Sequence, residues 1–213
     1  MLKQYKKTVI LTTLVTLLPM LVGVLLWNQL PETLATHFDI NGEPNGWSSR
    51  TMAVFGFPAL IAAANVLCAL ATSMDPKKQN IQPKIFKMIL WIIPLCSWFC
   101  CGATYAYALG IPAPVEKLGL IFVGIIFLVI GNYLPKCRQS YTIGIKVPWT
   151  LDNEEVWNRT HRMAGGLWMA GGAVALLMGL TGLFYPVVLV TLMVVVTLVP
   201  VVYSYLLHRK LSN

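Results

Sequence analysis

Residues 1–26 read MLKQYKKTVILTTLVTLLPMLVGVLL. Three lysines precede an apolar run, which fits either a cleaved leader or a retained membrane span. The run is longer than a leader's core, and no small-x-small cleavage site follows near Trp27, so it reads as a retained first span. The rest of the chain agrees. Of its 213 residues, 57% are hydrophobic and 11% are charged, against roughly a quarter charged in soluble domains. The expectation is an all-α integral membrane protein.

A bilayer core of ~30 Å takes about 20 helical residues. Six segments are long enough, at about 8–28, 51–73, 88–109, 118–134, 164–184 and 187–207. A tight FYP turn around Pro186 separates the last two. Pro19, Pro58, Pro94 and Pro200 fall inside spans, where they imply kinks or cavities, with neighbouring helices satisfying the freed carbonyls. Of the sixteen lysines and arginines, fourteen lie on one side of a six-span topology; Arg50 and Lys117 lie on the other. Cytoplasmic loops keep such cations, so both termini are expected inside. The division is a two-span unit over 1–74 with an outer loop at 29–50, a linker loop and third span over 75–117, and a three-span unit over 118–213 with an inner loop at 135–162. The net charge of +8 then suits anionic lipid headgroups, with no direct nucleic-acid partner.

The outer loop, LPETLATHFDINGEPNGWSSR at 30–50, alternates Leu34, Thr36, Phe38 and Ile40 with Ala35, His37 and Asp39. That is the period of a short strand. Asn41-Gly42, Pro44 and Asn45-Gly46 supply turns, and Trp47 suits the membrane interface. A compact ordered loop follows, stiffened by a His37–Asp39 hydrogen bond. Asp39, Asn41 and Glu43 lack the rest of a calcium loop, and no second outer histidine joins His37, so no metal or cofactor is expected.

The inner loop contains PWTLDNEEVWNRTHR, residues 148–162, with three of the eight acids and two tryptophans. A β-prone run from Tyr141 to Val147, interrupted by Gly144, precedes it. Pro148 disfavours helix just before itself. A helix then starts with Asp152 as N-cap and Glu155 closing a capping box, Thr150 being a second cap candidate. Wound at 3.6 residues per turn, it places Asp152, Glu155, Arg159 and Arg162 on one face and Trp157, Thr160, His161 and Ala164 on the other, and runs into the fifth span. The tryptophans and histidine suggest a docking surface or a folded plug beneath the bundle.

Other chemistry is thinner. Glu154-Glu155-x-x-x-Arg159 matches the EExxxR signature of intramembrane CAAX-type proteases, but His161 and His208 do not supply those enzymes' later histidine patterns. A small-molecule transporter would need ionisable mid-membrane residues, and the spans offer chiefly Asn65 and Asn132, read as inter-helix hydrogen bonders. The chain is therefore read as no enzyme, with protease or transporter as the alternative. Cys68, Cys96, Cys100, Cys101 and Cys137 read as small buried hydrophobes. Gly171, Ala175 and Gly179 form a small-residue stripe suited to a packing seam or a homodimer.

Taken together, GNYLPK, GIKVPWTLDNEEVW and THRMAGG resemble the C-terminal signature of the SdpI/YfhL family of bacterial multispanning immunity proteins. LPETLATHFDINGEPNGW resembles the small N-terminal domain of unassigned function that often precedes it. The resemblance is weakest over 75–117. It implies a bacterial plasma-membrane protein that protects against a secreted peptide toxin. It also implies signalling, in which the toxin-engaged protein draws an ArsR-like winged-helix autorepressor to the membrane. By matching motifs it implies His37, Gly42 and Trp47, joined here by Asp39, as outer-loop ligand candidates. On the inner loop it implies Asn132, Pro135, Lys136, Gly144, Pro148, Trp149, Thr150, Trp157 and His161, with the Glu155/Arg159 ridge beside them. Lys146 stands where the family usually has Arg, which keeps the charge but loses the planar fork.

Overall fold

A computed structural model describes residues 2–112, 114–183 and 185–212. Phe184, and with it the tip of the expected FYP turn, lies outside the described residues. Six helices are long and apolar enough to cross a membrane. They comprise α1 (Leu2–Leu25), a π-helical turn at Met52–Gly56 leading into α2 (Phe57–Ser73), α3 (Pro83–Ala108), α4 (Val115–Tyr133), α6 (Glu154–Thr181) and α7 (Pro186–Ser212). The short helix α5 (Pro148–Asp152) precedes α6. At most 39% of the apolar window in any of the six is buried. Helices apolar on all sides yet mostly exposed require an apolar solvent, and the chain is a multi-pass membrane protein.

The expectation of an all-helical chain needs one correction. Between α1 and α2, strands β1 (Thr33–Phe38) and β2 (Pro44–Ser49) pair antiparallel as a hairpin. The chain divides into two compact units, one of residues 1–73 with 87–118 and the other of 74–86 with 119–213.

In the first unit, Leu30 and Leu34 are buried with Ala53, Val54, Cys101 and Tyr105. This cluster fastens the hairpin base to the helices, and Phe38 meets Tyr107 edge-on at 5.2 Å. Arg50 donates through Nη1 to the carbonyls of Trp27 (2.7 Å) and Leu30 (2.9 Å) beyond the end of α1, its guanidinium lying over the Trp27 ring. Polar contacts hold the helices together deeper in the unit. Asn65 donates to the hydroxyls of Thr12 (3.0 Å) and Thr13 (3.3 Å), the inter-helix bond expected of it.

Proline explains a second set. Pro19 has no N–H for the carbonyl of Val15, four residues back, and Trp98 of α3 donates its indole N–H there at 3.1 Å. Ser97 donates to the Thr16 carbonyl at 2.8 Å. In the second unit Pro200 frees the Val196 carbonyl, which accepts from the Trp168 indole at 3.1 Å. A neighbouring helix thus supplies the missing donor twice.

Glycine decides how closely α4 and α6 approach. A Cβ on Gly124 would lie 2.8 Å from the Gly172 carbonyl oxygen, and one on Gly131 would lie 3.0 Å from that of Gly165. No side chain fits between backbones this close. The expected small-residue stripe does pack within the chain, since Gly171 faces Leu192 and Val196 of α7. The tighter seam is the Gly124/Gly131–Gly165/Gly172 one.

Candidate functional site

The segment between α4 and α6 is a folded knot that starts where Pro135 turns the chain. A 3₁₀ turn at Leu134–Lys136 follows α4, and Pro135 packs on Gly165, where an added Cβ would come within 2.6 Å of its ring. The β-prone run 141–147 forms no strand; it is irregular backbone. Hydrogen bonds to side chains, not a partner strand, satisfy it.

Asp75, from the linker after α2, does much of this and is 2% exposed. Its Oδ2 accepts from the N–H groups of Tyr141 and Thr142 (both 2.9 Å) and from the Thr142 hydroxyl (2.7 Å), while Oδ1 accepts from the Lys77 N–H at 2.7 Å. A buried carboxylate holding four donors is well compensated. Gln139 ties the same region to α5. Its Nε2 donates to the carbonyls of Thr150 (2.9 Å) and Leu151 (2.8 Å), and its Oε1 accepts from Lys77 Nζ. Asn80 donates to the Gln139 carbonyl at 2.9 Å. Sequence reading missed Asp75 and Gln139. For Asp75 the available signal was an acid followed by proline, a turn-initiating pair, in a loop whose other charged residues are Lys77 and Lys78.

His161 and Trp157 form the floor. Both are fully buried, with rings stacked at 4.0 Å. The Trp157 indole donates to the Cys137 carbonyl at 2.8 Å. His161 Nε2 accepts from the Ile145 N–H at 2.9 Å, which leaves Nδ1 to donate to the Trp157 carbonyl at 2.8 Å. This pattern fits only the neutral Nδ1–H tautomer. Gly144, at φ 121°, passes directly over both rings, where a Cβ would sit 2.5 Å from His161 Nε2. Glycine is required there twice over, by conformation and by space. Burial pushes the Cys137 thiol up to about 11, so it behaves as the small buried hydrophobe expected.

Helix α5 begins with Pro148 at its first position. The buried Thr150 hydroxyl accepts from the Val147 N–H (3.1 Å) and donates to the Ile145 carbonyl (2.7 Å). Trp149, half-buried, donates to the Ser204 hydroxyl of α7 at 2.6 Å and meets Tyr205 edge-on. The expected N-cap is corrected. Asp152 closes α5, and Asn153 caps α6, its Oδ1 accepting from the N–H groups of Glu155 (2.9 Å) and Val156 (3.1 Å). Asn153 is one residue later and presents the same carbonyl geometry, so the capping box is replaced by an Asn cap.

The two faces of α6 fall as periodicity requires. Val156, Trp157, Thr160, His161 and Ala164 are buried, while Arg159 and Arg162 are exposed; Asp152, expected on the same face, is exposed at the end of α5. Glu155 pairs with Arg159 at 2.5 Å with both side chains about half exposed, a contact worth ~0–1 kcal/mol. The glutamates and His161 therefore point apart, and no acid–histidine site forms there. Among the described residues Asn132 makes no inter-helix bond, which corrects the expectation for it. Its Oδ1 accepts from Lys136 of the next turn at 3.2 Å, and the ammonium lies over Tyr133. The inner candidates thus divide. Trp157, His161, Thr150 and Gly144 build the knot, which corrects the idea that Trp157 is offered to a partner. Pro135, Lys136, Lys146, Pro148, Glu155 and Arg159 stand on its exposed surface.

The hairpin candidates also part. His37 is exposed and bonds through Nδ1 to Asn45 Oδ1, not to Asp39. Asp39 instead accepts through Oδ1 from the N–H groups of Asn41 (2.8 Å) and Glu43 (2.9 Å), an Asx-type turn. Gly42 takes φ 82° in that turn, against Glu116. Trp47 is 60% exposed, as an interfacial anchor requires. Among the described residues no group of three or more His, Cys, Asp or Glu side chains is placed to hold a metal.

Two family models match separate stretches of the chain. Residues 136–204 match the model of the SdpI/YfhL protein family, and residues 14–62 match a domain of unknown function, DUF1648. The first match covers most of the knot together with α6 and most of α7; the second takes in the hairpin with parts of α1 and α2. The chain is 23% identical over 209 residues to Immunity protein SdpI of Bacillus subtilis (strain 168), covering 96% of this chain and 97% of the relative. No solved structure matches the chain.

Proposed function

We propose that this SdpI-like multi-pass protein is a membrane immunity protein, protecting a bacterial cell from a secreted, membrane-active peptide toxin. The observation that carries the reading is similarity from end to end with a protein named for immunity. The relative's name denotes protection, not an enzyme. Geometry supports the reading, because the Asp75 carboxylate, the Thr150 hydroxyl and the His161 ring are each held by backbone groups, and the buried Thr160 hydroxyl, which has no partner among the described residues, is not paired with a base.

On this reading the cation-rich loops lie in the cytoplasm of a bacterial cell and the hairpin faces the medium. The exposed surface of the knot, with Lys136, Lys146 and the Glu155–Arg159 pair, is then the face available to a cytoplasmic winged-helix repressor, while Trp157 sustains it from below. A homodimer remains compatible with the exposed face of α7.

The test is survival. Sensitive cells carrying the chain, or a Glu154→Gln/Glu155→Gln variant, are challenged with a panel of secreted peptide toxins, membrane insertion being verified. The proposal expects both to survive at least one toxin that kills cells with an empty vector. Equal killing throughout contradicts it, and loss of protection in the double variant favours the protease alternative.

A further inference from the structure

The linker of residues 74–82 leaves one membrane-crossing helix, α2, and enters the next, α3. Both of its ends are ends of membrane spans, so the linker lies at the depth of the lipid headgroups. Its side chains bind the segment that follows α4. Asn80 donates to the Gln139 carbonyl at 2.9 Å, and Gln82 donates to the Lys136 carbonyl at 3.0 Å. Across residues 74–82 and 134–146 there are five cations, Lys77, Lys78, Lys136, Arg138 and Lys146, and one acid, Asp75. That acid is buried and committed to four donors. Among the described residues none of the five cations pairs with a carboxylate.

Lys77 is half-buried, yet its partners are neutral. Its ammonium donates to Gln139 Oε1 and lies 5.7 Å from the centre of the Tyr141 ring. An ammonium has three N–H donors, and the other two find no acceptor among the described residues. A partly desolvated charge without a counter-charge is costly, and a bound anion would remove that cost. The position is fixed in advance. Asp75 accepts from the backbone N–H groups of both Lys77 and Tyr141, so one carboxylate sets the two residues beside each other. Lys78 is exposed, and its side chain makes no bond among the described residues.

The surroundings select the anion. Tyr141 is 48% exposed and Met74 is 78% exposed. A free phosphate has no use for apolar side chains at headgroup depth, and an acidic protein surface would have to displace lipid to reach them. An anionic phospholipid brings a phosphate and an apolar tail together. We propose that Lys77, Lys78, Tyr141 and Met74 form a headgroup site for one anionic phospholipid, its phosphate neutralised by the two lysines and its glycerol end against the Tyr141 ring and Met74. Because Lys77 and Tyr141 both hang on Asp75, the bound lipid fastens the linker to the knot and stabilises it. The site does not depend on the immunity reading.

Full-length protein in a neutral detergent is titrated with phosphatidylglycerol or phosphatidylcholine, and bound lipids are counted by native mass spectrometry. Saturation by a single phosphatidylglycerol is expected, with a higher melting temperature, and none by phosphatidylcholine. Lys77→Gln and Lys78→Gln should each weaken retention about fivefold, whereas Lys6→Gln on α1 should leave it unchanged. Tyr141→Leu alters no charge and should weaken retention too; unchanged retention there overturns the site. Thermal unfolding without lipid checks that each variant folds. Lys78→Gln removes a side chain that holds nothing, so it tests the site even where Lys77→Gln fails to fold. Equal retention of the two lipids, or equal losses in Lys6→Gln and Lys78→Gln, shows diffuse charge alone and overturns the site. Displacement by inorganic phosphate at the lipid's own concentration assigns it to the free ion, and displacement by a glutamate-rich peptide assigns it to a protein; either overturns the lipid.

Discussion

At the scale of single residues, His161 shows how a polar side chain can be structural in a membrane protein. Its ring joins two backbone segments, accepting from Ile145 and donating to Trp157, and stacks on the Trp157 indole. Removing it strands the Ile145 N–H, while the Trp157 carbonyl keeps the bond it accepts within α6. His161→Phe keeps the stacking but loses both bonds, and should cost about 1–3 kcal/mol. The loss reads as a lower melting temperature in detergent, with faster maleimide reaction at the buried Cys137 next to the knot. Unchanged stability would mean that the ring is not the linchpin its contacts describe. The sequence made His161 legible as a member of the buried face, because Trp157, Thr160 and Ala164 recur with it at helical spacing. It could not make the partner legible. Ile145 lies in irregular backbone, where no period announces which N–H turns inward. Asp75 was hidden for the same reason, since its donors lie 66 and 67 residues further along the chain.

At the scale of elements, prolines set the helix contacts. The carbonyls freed by Pro19 and Pro200 are met by Trp98 and Trp168. Composition predicts that freed carbonyls find donors in neighbouring helices; the choice of tryptophan depends on helix rotation, which sequence pattern does not specify. The pairing gives a testable coupling. Trp168→Phe should destabilise the protein by about 1 kcal/mol while Pro200 is present, in the range of hydrogen bonds between membrane helices. In a Pro200→Ala background the restored backbone N–H can reach the Val196 carbonyl, so the same change should cost less. A double-mutant cycle by reversible unfolding measures the difference, and strict additivity would refute the mechanism. The α6 cap teaches a related lesson. Thr150, Asp152 and Asn153 are all good caps, and the break after α5 selected among them.

At the scale of the whole molecule, six apolar helices were legible from length and hydropathy, to within a few residues at most ends. The hairpin was legible only as a strand with turns, because Pro44–Ser49 carries little β propensity of its own and pairs through contact with β1. The functional account depends on which loops face which compartment. That depends on the cost of carrying lysine and arginine across the bilayer. Single cysteines at exposed positions, in a background with the five native cysteines replaced, test it with a membrane-impermeant maleimide. The account predicts that Glu43→Cys on the hairpin is labelled in intact cells and that Asn158→Cys on α6 is labelled only after permeabilisation. Labelling of Asn158→Cys but not Glu43→Cys in intact cells would contradict it.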